Sequence, residues 1–480
     1  MNTKKYSLIS LLFVGCALHG MAQCPIKDQI MNEDKLFPIQ PDAVTGATSH
    51  TDHKDKAQPA SKPTCCPLPS PSTFHSFRVG GGGEAVAAFK DYGPHRFADQ
   101  LKGSPKQNRN TIALPRLVLT MDYKFSPRWQ LSTAVAWRAG GAGQSLEMGK
   151  SANDEYHTKM EKGGKLAIEQ FHLSRFIHPA FNLRAGELIV PVGLTNILRE
   201  PVHFLGTVRP EGETTLLPST WHETGLSAFG AWGTGHSRFD YEAMFVTGLN
   251  ANGFDRNTWV AAGQQGLFEQ ANLNAPALVG RLSWTGTKGH HHDKQSLRLG
   301  VSYYHCADAG RNADKSSTYL ASRPIRVNIL TADAQYTSRF LTARGHIVWG
   351  QLSNSEYLSR TNAHLSPLAP YSRLTPVAAT AVSYAGEAGL HLRSWVSEQM
   401  PDLVPFVRYE YYNPQQKVAG TQAPEARLKT SMWVAGLNYR VGDGIVLKAD
   451  YTTRRIGDGL YNSENEWAVG IAFNTWFWSK

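Results

Sequence analysis

Alternation with a period of two constrains this chain more than any other feature. From Leu117 the odd positions read Leu117, Leu119, Met121, Tyr123 and Phe125, against Arg116, Val118, Thr120, Asp122 and Lys124. After Ser126-Pro127-Arg128 the pattern resumes with Trp129, Leu131, Thr133, Val135 and Trp137 against Gln130, Ser132, Ala134, Ala136 and Arg138. Period two puts one set on each face of a strand, and a tight polar connection joins two such strands as a hairpin. One hairpin also suits a soluble sandwich, so the decision rests on repetition. Phe239, Tyr241, Ala243 and Phe245 oppose Arg238, Asp240 and Glu242. Leu278, Leu282 and Trp284 oppose Arg281 and Ser283, while Ile445, Leu447, Ala449 and Tyr451 oppose Lys448, Asp450, Thr452 and Arg454. The last such stretch, Trp467 to Phe473, runs into Trp476-Phe477-Trp478, which fits an insertion signal read by the barrel-assembly machinery.

Sixteen strands are expected. The first is 77–89, and the hairpin above supplies the second and third. The next six are 165–177, 181–190, 221–231, 238–249, 277–285 and 296–305. The remainder are 327–337, 341–352, 378–393, 403–412, 427–440, 445–454 and 466–477. Connections after even-numbered strands are short (126–128, 178–180, 232–237, 338–340, 441–444), whereas 139–164, 191–220 and 353–377 are long. Short turns at one end, long loops at the other and an even strand number describe an all-β, transmembrane antiparallel β-barrel of the bacterial outer membrane. A sandwich has no reason to sort its loops this way.

Bulk composition agrees. The 480 residues suffice for one large barrel, and a mean hydropathy of −0.35 with 41% apolar residues is what half-lipid-facing strands produce. Lys4 and Lys5, the apolar 6–18 and Gly20-Met21-Ala22 read as a signal peptide over 1–22, with a weaker lipobox-like alternative at Phe13-Val14-Gly15-Cys16. No later run of 18 apolar residues exists, so a membrane is crossed by a closed barrel or not at all. The formal charge of +10 falls to +8 when the signal is removed. No Lys/Arg-rich run or basic helix accompanies it, which argues against nucleic acid and leaves anionic lipid or anionic solutes. Residues 23–75, rich in Pro, Lys, Asp, Ser and Thr, read as a flexible periplasmic tail before a barrel over 76–480. Cys24, Cys65 and Cys66 lie in that tail and Cys306 stands alone, so no disulfide scaffold is present.

Charges on an inward face require a hydrated interior, and sixteen strands are expected to enclose a channel rather than a packed core. The inward basic candidates are Arg78, Arg116, Lys124, Arg138, Arg184, Arg281, Arg298, Arg344, Arg408 and Lys448. Glu84, Asp122, Asp240, Glu242, Asp333, Glu410, Asp450 and Glu466 nearly balance them. The connection 191–220 carries Arg199, Glu200, His203, Arg209, Glu211 and Glu213 among four prolines, and Arg199, His203, Arg209 and Glu211 are the expected constriction.

Residues 164–230, with "EQFHLSR", "LRAGELIVPVGLTNILREPVHF" and "VRPEGETTLLPSTWHETG", resemble the Bacteroidetes branch of the phosphate-selective porin O and P family. "VGGGGEAV" at 79–86 and "FVRYEYY" at 406–412 extend the resemblance. It implies a sixteen-stranded outer-membrane porin, commonly a homotrimer, with the loop after strand five folded inward. Small hydrophilic solutes, with an anion or phosphate preference, are the implied cargo.

Other motifs weigh less. Gly80 to Ala85 fits GxGxxA, but no βαβ unit follows, and neither GxSxG, a Walker loop nor HExxH occurs. His290-His291-His292 falls in an expected turn, and His222-Glu223 lacks an evident nucleophile. Asp42 to Thr48 resembles the D-x-x-[S/T]-G-A-T sequence at which periplasmic flavin transferases attach FMN, here through Thr48. The alternative functions are therefore a barrel anchoring a flavinylated tail for electron transfer, and an outer-membrane barrel enzyme. Apart from that flavin no cofactor or metal is expected.

Overall fold

The computed structural model describes residues 76–93, 101–150, 156–234, 236–265, 271–289, 294–313, 323–363, 376–397, 399–441 and 444–479. Seventeen strand segments form one antiparallel sheet. Two of them, Arg109–Ala113 and Arg116–Ser126, both pair with the first strand, the former opposite Val86–Lys90 and the latter opposite Ser76–Gly83. They are one stave interrupted at Leu114-Pro115, where proline has no N–H to donate to the ladder. The wall therefore has sixteen staves.

Numbered in chain order, these are β1 (Ser76–Lys90), the two-piece β2, β3 (Trp129–Lys150), β4 (Tyr156–His178), β5 (Phe181–Ile189) and β6 (His222–Thr234). Next come β7 (Ser237–Val246), β8 (Ala277–Lys288), β9 (Gln295–Cys306), β10 (Val327–Thr337) and β11 (Leu341–Leu352). The last five are β12 (Thr380–Leu390), β13 (Asp402–Lys417), β14 (Thr430–Arg440), β15 (Ile445–Ile456) and β16 (Glu464–Ser479). Each stave pairs with the next, and β1 pairs with β16 from Arg78 opposite Ser479 to Lys90 opposite Glu466. The sheet is closed and has no free edge at its seam. Glycines let β1 approach both neighbours: a Cβ on Gly80 would lie 2.6 Å from the Thr475 carbonyl across the seam, and one on Gly81 2.5 Å from the Val118 carbonyl of β2. The glycine run is thus a packing device on a strand, with no nucleotide-binding turn.

Alternating burial shows which face is which. Along β8 Leu278, Gly280 and Leu282 are exposed while Ala277, Val279, Arg281 and Ser283 are buried, and β9, β10 and β11 repeat the pattern. The outer face is an apolar belt, with exposed rings at the short-turn end (Trp129, Trp232, Phe340, Trp476) and at the opposite end (Trp137, Trp349, Trp433, Trp467). That is the surface a barrel turns to lipid, with aromatic girdles at the two interfaces. No helix among the described residues is long and apolar enough to cross a membrane, so the crossing elements are strands.

Three expectations are corrected. The connection 139–164 is largely a continuation of β3 and β4, which stay paired from Gly143 opposite Gly163 to Lys150 opposite Tyr156. The alternation there is broken by a register shift, so a period-two reading stops too early. The second strand is split at Pro115, as above. Third, the interior is not hollow throughout: Leu249, Phe254, Trp259, Val260 and Leu358, from the loops after β7 and β11, meet inward residues of β5–β12 in a buried apolar core. The chain fills part of its own mouth, because those loops carry apolar side chains that are buried inward.

If the outer belt faces lipid, Leu282→Arg near its middle should cost about 2–4 kcal/mol of stability in a bilayer. Urea unfolding from liposomes checks this. An unchanged midpoint would show that the belt is not lipid-facing.

Candidate functional site

After β5 the chain turns into the lumen and stays there over residues 190–221, with two short helices, α1 (Leu194–Ile197) and α2 (Glu211–Leu216). Its two ends are tied by one side chain. Asn196 donates to the Val190 carbonyl at 2.7 Å and the Trp221 carbonyl at 3.1 Å, and its Oδ1 accepts from the Trp221 N–H at 2.7 Å. Glu213 accepts from the backbone N–H groups of Thr195 and Asn196, at 3.1 and 3.0 Å. A lumenal loop has no ladder for its polar backbone, so the wall must supply partners.

It does so along β13 and β15. The Lys448 ammonium donates to the carbonyls of Pro201, Phe204 and Gly206 at 2.6, 2.6 and 2.9 Å. Asp450 accepts from the Thr207 N–H at 2.5 Å, and Glu410 from the Gly212 N–H at 2.9 Å. Arg454 and Tyr412 grip the Glu211 carboxylate at 2.8 and 2.6 Å. From β11, Arg344 donates to the His203 carbonyl. Lys448, Arg344 and Glu211 thereby hold the loop in place, where composition alone had them lining a pore or narrowing it.

On the opposite side the loop faces β1–β4. Arg116 donates to both oxygens of Glu169, at 3.2 and 2.7 Å, and to both oxygens of Glu200, at 2.8 and 3.2 Å. Arg138 shares Glu169 at 3.1 Å and reaches the Thr220 carbonyl at 3.3 Å. Arg199 donates to Gln170 at 3.1 Å, and Arg209 to Ser219 Oγ at 2.9 Å and the Arg199 carbonyl at 2.9 Å. Glu169 and Gln170 both point inward because β4 carries a bulge there: Ala134 pairs with Gln170, while Val135 pairs with Ile168. A bulge re-aims a side chain in this way. The carboxylate of Glu169 lies fully buried behind the arginines, whereas Arg138 and Arg199 keep 18% and 22% of their side-chain surface exposed.

Inward polar groups that solvent still reaches concentrate on β1–β3: Arg78, Glu84, Thr120, Lys124 and Arg138. Those of β8–β11 and β13–β15 are mostly buried, many beneath the loop. Lys124 lies near the short-turn end of β2, opposite Gln130 and Ser76, away from the loop. Arg184 faces Glu242 at 3.6 Å, Arg281 faces Asp333 at 2.8 Å, and Arg298 lies among Arg281, Asp240 and Asp333. Arg408 pairs with Glu410 at 2.7 Å. Of the residues expected at the constriction, Arg199 and Arg209 share the arginine-rich face, His203 has its carbonyl held by Arg344 of β11, and Glu211 stands at the far wall. Glu169, Gln170 and Glu387 escaped sequence reading because a bulge or a broken alternation hid which face they occupy. Thr48, His290–His292 and the tail cysteines lie outside the described residues.

Loop charges respond to this setting. Burial raises the Glu200 carboxyl, but Arg116 and Arg199 outweigh it and hold the group down to about 2. Burial pushes the His203 imidazole down to about 4, with Arg344, Arg199 and Lys448 adding to the effect and Glu200 opposing it.

No family model matches the chain, so the resemblance to the phosphate-selective family rests on the motifs quoted above. An uncharacterized protein of Aquifex aeolicus is 31% identical over 144 residues, a match covering 29% of this chain. The chain spans 28% of the length of that relative. Among solved structures, the anion-selective porin from Comamonas acidovorans is 9% identical with a TM-score of 0.48, covering 84% of this chain and all of that one. The outer membrane channel DcaP of Acinetobacter baumannii is 12% identical with a TM-score of 0.46, covering 84% and 98%. Salmonella typhi OmpF is 9% identical with a TM-score of 0.47, covering 83% and 97%.

Removing a buried ion's partner costs about 3–5 kcal/mol, so Glu169→Ala should lower the temperature at which the barrel loses its folded electrophoretic mobility. No change would mean that Arg116 and Arg138 are fully hydrated. His203 has a folded value below its ordinary 6.5, so the unfolded chain protonates first as pH falls and loop stability drops between about 6.5 and 4. Ion selectivity should therefore stay flat from pH 8 to 5.5. A step near 6.5 that disappears in His203→Asn would contradict a buried imidazole.

Proposed function

We propose that the chain is an outer-membrane porin, a passive diffusion channel for small hydrophilic solutes with a preference for anions, phosphate among them. The observation that carries this is the asymmetry of the lumen. An apolar outer belt encloses an ionisable interior, and a loop bonded to both walls leaves Arg138, Arg199 and Arg209 partly exposed on its β1–β4 side, with Glu169 buried behind them. Carboxylates placed behind guanidinium groups keep the cations in register while a passing solute meets positive charge first. Filtering is then steric, set by the loop, and electrostatic, set by the arginines.

In this reading residues 1–22 direct export and 23–75 lie in the periplasm. The aromatic end of β16 is the signal for the barrel-assembly machinery, the belt contacts outer-membrane lipid, and the working form is a homotrimer. The test is ion selectivity. In a planar bilayer under a salt gradient, Arg199→Glu with Arg209→Glu should move the reversal potential toward the cation side. An unchanged reversal potential would remove the loop from the filter.

A further inference from the structure

The outer face carries a charged feature of its own, at the loop end of β12–β15. Tyr384 pairs with Tyr411, and Tyr409 with Trp433, across neighbouring staves. Their rings are in contact: Tyr384 stacks on Tyr411 with centroids 5.0 Å apart, and Tyr409 meets Trp433 at 4.8 Å. Trp433 is 54% exposed and Tyr384 40%, so the four rings form one outward platform in the belt. One step nearer the loops than Trp433, Ser431 pairs with Tyr411 on one side and with Arg455 on the other. Arg455 is exposed there. Lys429 stands just before β14 on the same face, within electrostatic reach of the Tyr411 and Tyr384 hydroxyls. Asp458 holds both cations: its Oδ2 accepts from Lys429 Nζ at 2.7 Å, and its carbonyl accepts from Arg455 Nη2 at 2.6 Å. Two cations against one carboxylate leave a net positive charge. Both keep N–H groups that bond nothing else among the described residues.

The order of these groups along the wall selects the occupant. Tyr and Trp sit where acyl chains meet head groups, and Lys or Arg just above that level reaches phosphate. A free anion would use the cations and ignore the rings. A zwitterionic lipid would use the rings and gain little from the net charge. We infer that this face binds a membrane lipid with an anionic phosphate head group, its phosphate on Lys429 and Arg455 and its acyl chains over Tyr409 and Trp433. The site lies outside the lumen, so it goes beyond the porin reading and stands whether or not the barrel conducts.

The test is native mass spectrometry of folded full-length protein in a non-ionic detergent, with dioleoyl phosphatidic acid, dioleoyl phosphatidylcholine and inorganic phosphate as probes. Phosphatidic acid should bind about tenfold more tightly than phosphatidylcholine, which carries the same chains. Lys429→Gln with Arg455→Gln should remove that preference, and both side chains are exposed enough for the barrel to keep its folded electrophoretic mobility. Tyr409→Ala with Trp433→Ala should weaken both lipids. Arg360→Gln, which removes an exposed cation from the loop after β11, should change nothing. Equal binding of the two lipids by the native protein would overturn the proposal. So would a preference that survives Lys429→Gln with Arg455→Gln, lipid binding untouched by the ring substitutions, or an equal loss in Arg360→Gln. Displacement of phosphatidic acid by an equal concentration of inorganic phosphate would reveal a free-anion site and overturn the lipid assignment.

Discussion

Closure of the wall is the constraint on which the rest depends. In hydrocarbon no water is available for an unpaired N–H or C=O, so a sheet crosses only if its first and last strands meet. Here β1 and β16 pair along most of β1, and the glycines at 80 and 82 allow the close approach that the seam needs. Once the wall is closed, period-two alternation has one outcome: the apolar set faces outward and the charged set inward. The ionisable interior therefore follows from the same rule that makes the wall.

That interior does two different jobs with the same residue types. On β11, β13 and β15, Arg344, Lys448, Glu410, Asp450 and Arg454 serve as partners for the backbone and carboxylate of the inward loop. On the β1–β4 side, Arg116 and Arg138 hold Glu169 and Glu200 and leave an arginine-rich surface toward solvent. A count of basic residues on inward faces cannot separate these tasks. What separates them is which part of the loop each side of the lumen meets: backbone carbonyls and N–H groups over 201–212 on one side, the Arg199–Glu200 side chains on the other. The loop is rigidly held because its polar backbone has no ladder of its own.

Much of the wall was legible in the residues. Stave number, turn placement and the facing of Arg281, Arg298 and Lys448 follow from alternation and from turns such as Ser126-Pro127-Arg128. The misses have local physical causes. Pro115 hides that Arg109–Ala113 belongs to the same stave as the strand from Arg116, and the β4 bulge puts Glu169 and Gln170 on one face where strict alternation would separate them. The paired extensions 143–150 and 156–163 are too irregular in pattern to be seen as strand. Phe254 and Trp259 are spaced like loop residues and Leu249 reads as the end of a strand, and only the fold reveals that they fill the mouth.

This barrel is proposed to be an open, arginine-filtered channel. Single-channel recording of the purified, folded native protein in a planar bilayer tests that most directly. Discrete conductance steps are expected, with a reversal potential on the anion side under a KCl gradient. Correctly folded protein that inserts and yet carries no current would contradict it.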